Sequence, residues 1–347
     1  MRIRSAPLQH TNLPPANVVP THLRTTEATK SIRCSAPGKI VLWGEYAVLD
    51  GAPACVMAVD RLAQVRLNPH GDAWHFTTAG FTSRPHQQTS AKLPTAAAAG
   101  FTRTICEYWG VKTLSKPFAM HSDSSDFFLA AEKLGLGSSA AICCATYAAL
   151  AYVYDRPATL AEALAIHRIW QGGRGSGLDI ACSWLGGTIR FASGEATSTA
   201  PVAADWLVVW VGNSTSTATN LGGFSAWRNT ADVQPLTALG DASAALFHDF
   251  TTATLLHYVS CLERLDEVAK LNIFTAAHRT LGKLAAVCGL TYKPCGAGGG
   301  DVGIAFALHD DASARKQALQ RFQDACTEHR FFPLDLGTTQ HGIRVDN

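Results

Sequence analysis

The stretch Glu132 to Leu150, Glu-Lys-Leu-Gly-Leu-Gly-Ser-Ser-Ala-Ala-Ile-Cys-Cys-Ala-Thr-Tyr-Ala-Ala-Leu, is the part of the chain around which the rest is organised. Gly135 and Gly137 lead into the hydroxyl pair Ser138 and Ser139, and an Ala-rich helical pattern follows at once. Glycine lets a backbone turn tightly and lie close to a ligand. The serines stand where a helix begins and are expected to cap it. A helix start offers free N–H donors and the positive end of the macrodipole, which together attract phosphate. The same letters also describe a plain turn into a buried helix, and on this stretch alone the two readings stand level.

Composition narrows the choice. The chain has 347 residues, 47% hydrophobic and 16% charged, with 29 basic against 27 acidic side chains. That length suits one or two closely joined domains. A formal charge of +2 gives no warrant for nucleic-acid or membrane binding, so an anionic ligand must be met by local groups. The ten cysteines lie mostly in apolar runs, Cys143 and Cys144 side by side, with no spaced pairs of zinc type. They read as buried thiols of a reducing cytoplasm. Residues 1–30 carry four prolines and few large apolar side chains, lack the apolar core of a secretory signal, and are expected to form a flexible extension.

Ser31 to Val48 reads as a strand that sets Lys39 and Glu45 among apolar residues; Asp50-Gly51 marks a hairpin, and Cys55 to Leu67 a second strand. A charge within a strand needs a partner or a ligand, or else an exposed strand end. Thr95 to Tyr108 and Leu160 to Gln171 read as helices, and Phe118 to Phe128 as a strand leading into the glycine loop. Arg174-Gly-Ser-Gly-Leu-Asp179 then places a carboxylate at the start of an apolar segment, either as a dipole partner or as a catalytic group. Asp205 to Val211 is a buried strand, and Thr230 to Lys283 is mostly helical. Gly296-Ala-Gly-Gly-Gly-Asp301 has four glycines in six residues, which packing does not explain and close approach to a ligand does. Val302 to Leu308, Ala312 to Glu328 and Phe331 to Leu336 read as strand, helix and strand, before a polar end at 338–346. This order of elements predicts an α+β fold with a mixed sheet covered by helices.

Lys39 in its strand, the Gly-Leu-Gly-Ser-Ser-Ala-Ala loop and the Gly-Ala-Gly-Gly-Gly-Asp loop, in this order, resemble the GHMP family of small-molecule kinases from Ser31 to the C-terminus. The Gly-Lys-Ser/Thr ending of the common phosphate loop is absent. Gly44 to Leu49, Lys133, Gly175 to Cys182 and Asp301 make the chain most similar to the phosphomevalonate kinase branch. The resemblance implies two lobes, a ribosomal-protein-S5-like N-terminal lobe over 31–190 that binds ATP and a ferredoxin-like α/β lobe over 191–347. It implies ATP and Mg2+ as cofactors and a small phosphorylated acceptor as substrate, in a cytoplasmic monomer or homodimer. Lys133, Gly135, Leu136, Gly137, Ser138, Ser139 and Ala140 would face the nucleotide, with the Ser139 hydroxyl on the metal. Asp179 and Lys39 would be catalytic. Glu45, Tyr46, Arg174, Ser176, Gly177, Cys295, Gly296, Ala297, Gly298 and Asp301 would border the acceptor, with Lys293, His341 and Arg344 as further candidate cations.

The chain departs from the family pattern at three points. Cys295 stands where serine is common and Val302 where cysteine is common. Before Gly172, His167 and Arg168 occupy the region in which mevalonate kinase carries a metal-binding glutamate. Phosphorylation of mevalonate or another small alcohol, and a non-catalytic binding role on the same fold, remain alternatives at this point.

Overall fold

The computed structural model describes residues 18–19, 31–80, 87–90, 92–114, 117–129, 131–214, 217–229 and 232–346. The first sheet is built around the sixteen-residue strand Ala54–Pro69. Ile32–Trp43 runs antiparallel along one of its edges. The other edge is shared end to end, Thr188–Ala192 pairing with its first part and Phe118–Asp123 with its last. Phe118–Asp123 continues into Trp74–Ala79, the one parallel pairing of these described strands, and Gln87–Ser90 closes that side. The connection after Ile32–Trp43 is a short turn of 3-10 helix, Ala47–Asp50, ended by Gly51 at φ 88°. Gly51 meets a backbone requirement that a side chain at this position would strain.

Helix Ser138–Val153 packs on this sheet with Leu178–Leu185, Leu160–Trp170 and Ala96–Tyr108 around it. Nearly every residue of Ser138–Val153 is buried. Its alanines and cysteines leave no polar face, which suits a helix enclosed on all sides.

The second sheet, in the order Thr291–Pro294, Val302–Ala307, Asp205–Trp210, Phe332–Leu334, is antiparallel throughout. Numbered along the chain its strands lie 2-3-1-4, the ferredoxin-like arrangement, with helices Ala276–Val287 and Ala312–Glu328 packed on it. Thr217–Arg228, Gln234–Ala245 and Thr252–Ala269 fill the long connection from its first strand to its second.

The expected division at residue 190 does not follow the sheets. Ser193 and Gly194 both take positive φ, a tight turn that sends Glu195–Thr199 straight back along Thr188–Ala192. The stretch 338–346, read as a polar end, returns to the first sheet as well, where Arg344–Asp346 pairs with Arg33 to Ser35. The first sheet therefore includes Glu195–Thr199 and Arg344–Asp346. The extension 1–30 lies outside the described residues except for Val18–Val19, which pair with Ala158–Thr159.

Two features join the sheets. Trp43 packs against Phe247 and Phe250, each with ring centroids 5.1 Å away, and Phe250 in turn meets Phe306 of the second sheet at 5.6 Å. Below it, Lys293 Nζ lies 2.5 Å from Glu45 Oε1, with neither side chain more than 1% exposed. The second Glu45 oxygen accepts from the Tyr258 hydroxyl at 2.5 Å, and Lys293 also donates to the Val41 carbonyl at 3.3 Å. Removing one member of such a pair strands the other charge without water. Lys293→Met is expected to lower unfolding free energy by about 3–5 kcal/mol, and Lys293→Met with Glu45→Gln by clearly less, measured by urea denaturation.

Candidate functional site

The two glycine loops meet beside Gly38 and Lys39, within the strand Ile32–Trp43. Ile32–Trp43 shifts register between Pro37 and Gly38, immediately before Lys39. A Cβ on Gly38 would lie 2.8 Å from the Leu136 carbonyl, so only glycine admits the loop here. The Lys39 amide donates to that carbonyl at 2.8 Å. Gly137, at φ 83°, is the N-cap of Ser138–Val153 and receives no side-chain cap. The serines are thus inside the first turn rather than capping it, and its N–H groups remain directed out of the helix. A Cβ on Gly137 would approach Lys39 Cγ to 2.9 Å, and one on Gly135 would overlap the Asp301 side chain.

A cleft opens over this junction. Among the expected residues, Lys39, Glu45, Tyr46, Gly135, Ser176, Gly177, Asp179, Cys295, Gly296, Ala297 and Asp301 line it. Lys39 Nζ lies 3.4 Å from Asp179 Oδ1, which sits in the first turn of Leu178–Leu185 beyond the N-cap Gly177. Burial opposes the Lys39 charge, but the Asp179 and Asp301 carboxylates outweigh it and hold the ammonium above its usual pKa. Lys133 moves the other way. Burial lowers it, Asp301 opposes that, and the Lys39 charge adds to the lowering. Lys39 lines the cleft and is firmly charged, whereas Lys133, whose proton is held less tightly, is not among the residues that line it.

Several expected residues have different work. Glu45 reaches the wall, yet both its oxygens are taken by Lys293 and Tyr258. Lys293 is wholly buried in that pair and so is withdrawn from the set of ligand-facing cations. The Tyr46 hydroxyl donates to the Ala297 carbonyl at 2.6 Å and so fastens the second glycine loop. Ser139 Oγ is 3.2 Å from His167 Nε2. Leu136, Ser138 and Ala140 are buried beneath the cleft, Gly298 packs against Ile273, and Arg174 is exposed on the flanking Gly-rich loop. His341 and Arg344 lie on the returning C-terminal segment and do not line the cleft. Burial pushes the Cys295 thiol up to about 11, so at neutral pH it stays protonated and is a weaker hydrogen-bonding group than serine.

Tyr258, Asp266 and His278 had no signal in the sequence beyond a helical pattern. Asp266 accepts from the Ile273 and Phe274 amides at 2.8 and 2.9 Å. His278 is buried between the Tyr292 hydroxyl and the Gly300 carbonyl. Burial, with Lys293 adding to it and the Gly300 contact opposing, lowers its pKa from 6.5 to about 4. The unfolded chain therefore binds a proton between those values that the folded chain refuses, and stability falls as pH drops through that window. Comparing wild type with His278→Gln by denaturation at pH 7 and pH 4 should show the wild type losing up to about 3 kcal/mol more on acidification.

Comparison with known proteins gives the following. Residues 97–187 match the model of the GHMP kinases N terminal domain. The phosphomevalonate kinase of Streptomyces sp. (strain CL190) is 27% identical across 92% of this chain and 100% of its own length. Among solved structures, Streptococcus pneumoniae phosphomevalonate kinase in complex with phosphomevalonate and AMPPNP superposes with a TM-score of 0.69 at 18% identity, covering 88% of this chain and 99% of its own. Methanococcus jannaschii mevalonate kinase superposes with a TM-score of 0.67 at 16% identity, covering 91% and 100%. At these identities the two structures establish the shared fold.

Proposed function

This chain carries the N-terminal domain of the GHMP kinases and folds as they do, and on that premise we propose that it is an ATP-dependent phosphomevalonate kinase. The reaction would transfer the γ-phosphoryl group of ATP to 5-phosphomevalonate, giving 5-diphosphomevalonate and ADP, a step of isoprenoid precursor synthesis in the mevalonate pathway. The observation that carries this reading is the cleft in which Lys39, Asp179 and both glycine loops converge. Phosphomevalonate as the acceptor is supported by the 27% identity to the Streptomyces enzyme over 92% of this chain. All ten cysteines are free thiols, which supports a reducing, cytoplasmic setting. Among the described residues no helix is long and apolar enough to cross a membrane.

The residues present fit a nucleotide. Gly137 leaves the start of Ser138–Val153 without a side-chain cap, which suits phosphate, and the room left by Gly135 and Gly137 brings Asp301 and Lys39 against that start. The metal is another matter. Among the described residues no group of three His, Cys, Asp or Glu side chains is placed to hold one, and the Ser139 hydroxyl already contacts His167. Mg2+ would be held chiefly by the nucleotide phosphates and water, where it would neutralise phosphate charge.

The acceptor oxygen belongs to a phosphate that is already ionised, so charge repulsion is the larger obstacle to its attack on the γ-phosphorus. Lys39 would hold that charge, and Asp179 would keep Lys39 oriented and lie beside the acceptor oxygen. Arg174, exposed at the rim, is the candidate for bidentate contact with the acceptor's own phosphate.

An ADP-release assay over phosphomevalonate, mevalonate and other small alcohols tests the assignment. Turnover of phosphomevalonate is expected; turnover of mevalonate alone would transfer the chain to the mevalonate kinases, whose fold it shares to a similar degree. ATP binding without turnover of any acceptor would identify a binding protein. Asp179→Asn is expected to lower kcat by about 100-fold or more while calorimetry finds ATP affinity nearly unchanged.

A further inference from the structure

The loop from Gly296 to Asp301 cannot hold its own shape. Fixing a residue's backbone costs about 1–2 kcal/mol, and glycine has the most freedom to lose. Gly296, Gly298, Gly299 and Asp301 all take positive φ here. The loop nevertheless forms one wall of the cleft. The Tyr46 hydroxyl holds it at Ala297 from the cleft, and further support comes from behind that wall. His278 Nε2 is 3.0 Å from the Gly300 carbonyl, and His278 Nδ1 is 2.8 Å from the Tyr292 hydroxyl. A carbonyl can only accept, so Nε2 carries the proton and Nδ1 accepts from Tyr292. The ring is 1% exposed and so is confined to this one arrangement. One residue back, the Gly299 amide donates to the Ile273 carbonyl at 3.1 Å, and Ile273 is itself held through its amide by Asp266.

We infer that His278 is a positioning residue for the acceptor side of the cleft, acting through the Gly300 carbonyl to set the path of the loop that ends at Asp301. It reaches no bound molecule itself. Its neutral imidazole is the donor for the Gly300 carbonyl, beside the hydrogen bonds that hold Ala297, Gly299 and Asp301, and Asp301 meets the nucleotide-side loop at Gly135. The inference rests on the kinase reading only in taking this wall as the one that faces the acceptor.

Two amide substitutions separate positioning from space-filling. His278→Gln can return an N–H to the place of Nε2, whereas His278→Asn offers its amide nearer to Nδ1 and leaves Gly300 without a donor. Thermal denaturation first establishes that both variants fold. His278→Asn is then expected to raise the phosphomevalonate KM by about tenfold, with the ATP KM within about twofold of wild type. His278→Gln is expected to stay within about threefold for both substrates. Equal effects of the two variants, or a joint rise in both KM values, would overturn the inference. Amide hydrogen exchange of residues 296–301 in the ligand-free protein is expected to be faster in His278→Asn than in His278→Gln, and identical exchange would also refute it. That readout needs no acceptor, so if the wild type turns over none, the kinase reading fails while exchange alone decides the role of His278.

Discussion

The buried pair of Lys293 and Glu45 ties the two sheets together directly beneath the cleft. Each charge is costly away from water, and their mutual attraction offsets this only because the remaining groups are also satisfied. Tyr258 occupies the second carboxylate oxygen and accepts the Gly44 and Glu45 amides, while Val41 accepts from the lysine. Such a cluster adds little net stability over an apolar replacement, but it tolerates very few alternative arrangements. It therefore registers the end of the first strand of one sheet against the edge strand of the other. Tyr46 and Cys295, each one residue or two from the pair, inherit their places on the cleft wall from that registration.

Above this floor the site is a set of charges held close by glycines. Gly38 and Gly137 let the loop before Ser138–Val153 press against the Lys39 strand, and Gly135 lets Asp301 press against that loop. Side chains at these positions would push Lys39, Asp179 and Asp301 apart. The proximity has an electrostatic result: Lys39 gains from its acidic neighbours more than burial takes away, while Lys133 does not. Neighbouring groups of one type are thereby set apart by environment alone, a pattern common where charge is handled in chemistry.

Much of this was legible in the sequence. Alternation and apolar runs located the strands around Lys39 and Val208, and uniform apolar content located the buried helix after Gly137. The glycine loops were visible because glycine in such density marks close approach of the backbone to other groups, though the groups approached include the chain's own Leu136, Asp301 and Ile273. Glu45 and Lys293 were visible only as charges in apolar surroundings, and reading them as ligand contacts was reasonable locally. They lie 248 residues apart, so nothing in either stretch announced that each was the other's partner. His278 and Asp266 were hidden for a related reason, since one polar residue within an amphipathic helix has no local mark of the loop it supports.

The sequence by itself determined the local conformations and the residue types available for chemistry, because turn preference, helical period and glycine freedom act over a few residues. Only the tertiary structure decided which charges face the cleft and which neutralise one another below it. It also returned residues 195–199 and 344–346 to the first sheet, across the division expected at residue 190. These outcomes depend on desolvation and hydrogen-bond satisfaction between segments remote along the chain, and those energies exist only once the segments have been brought together.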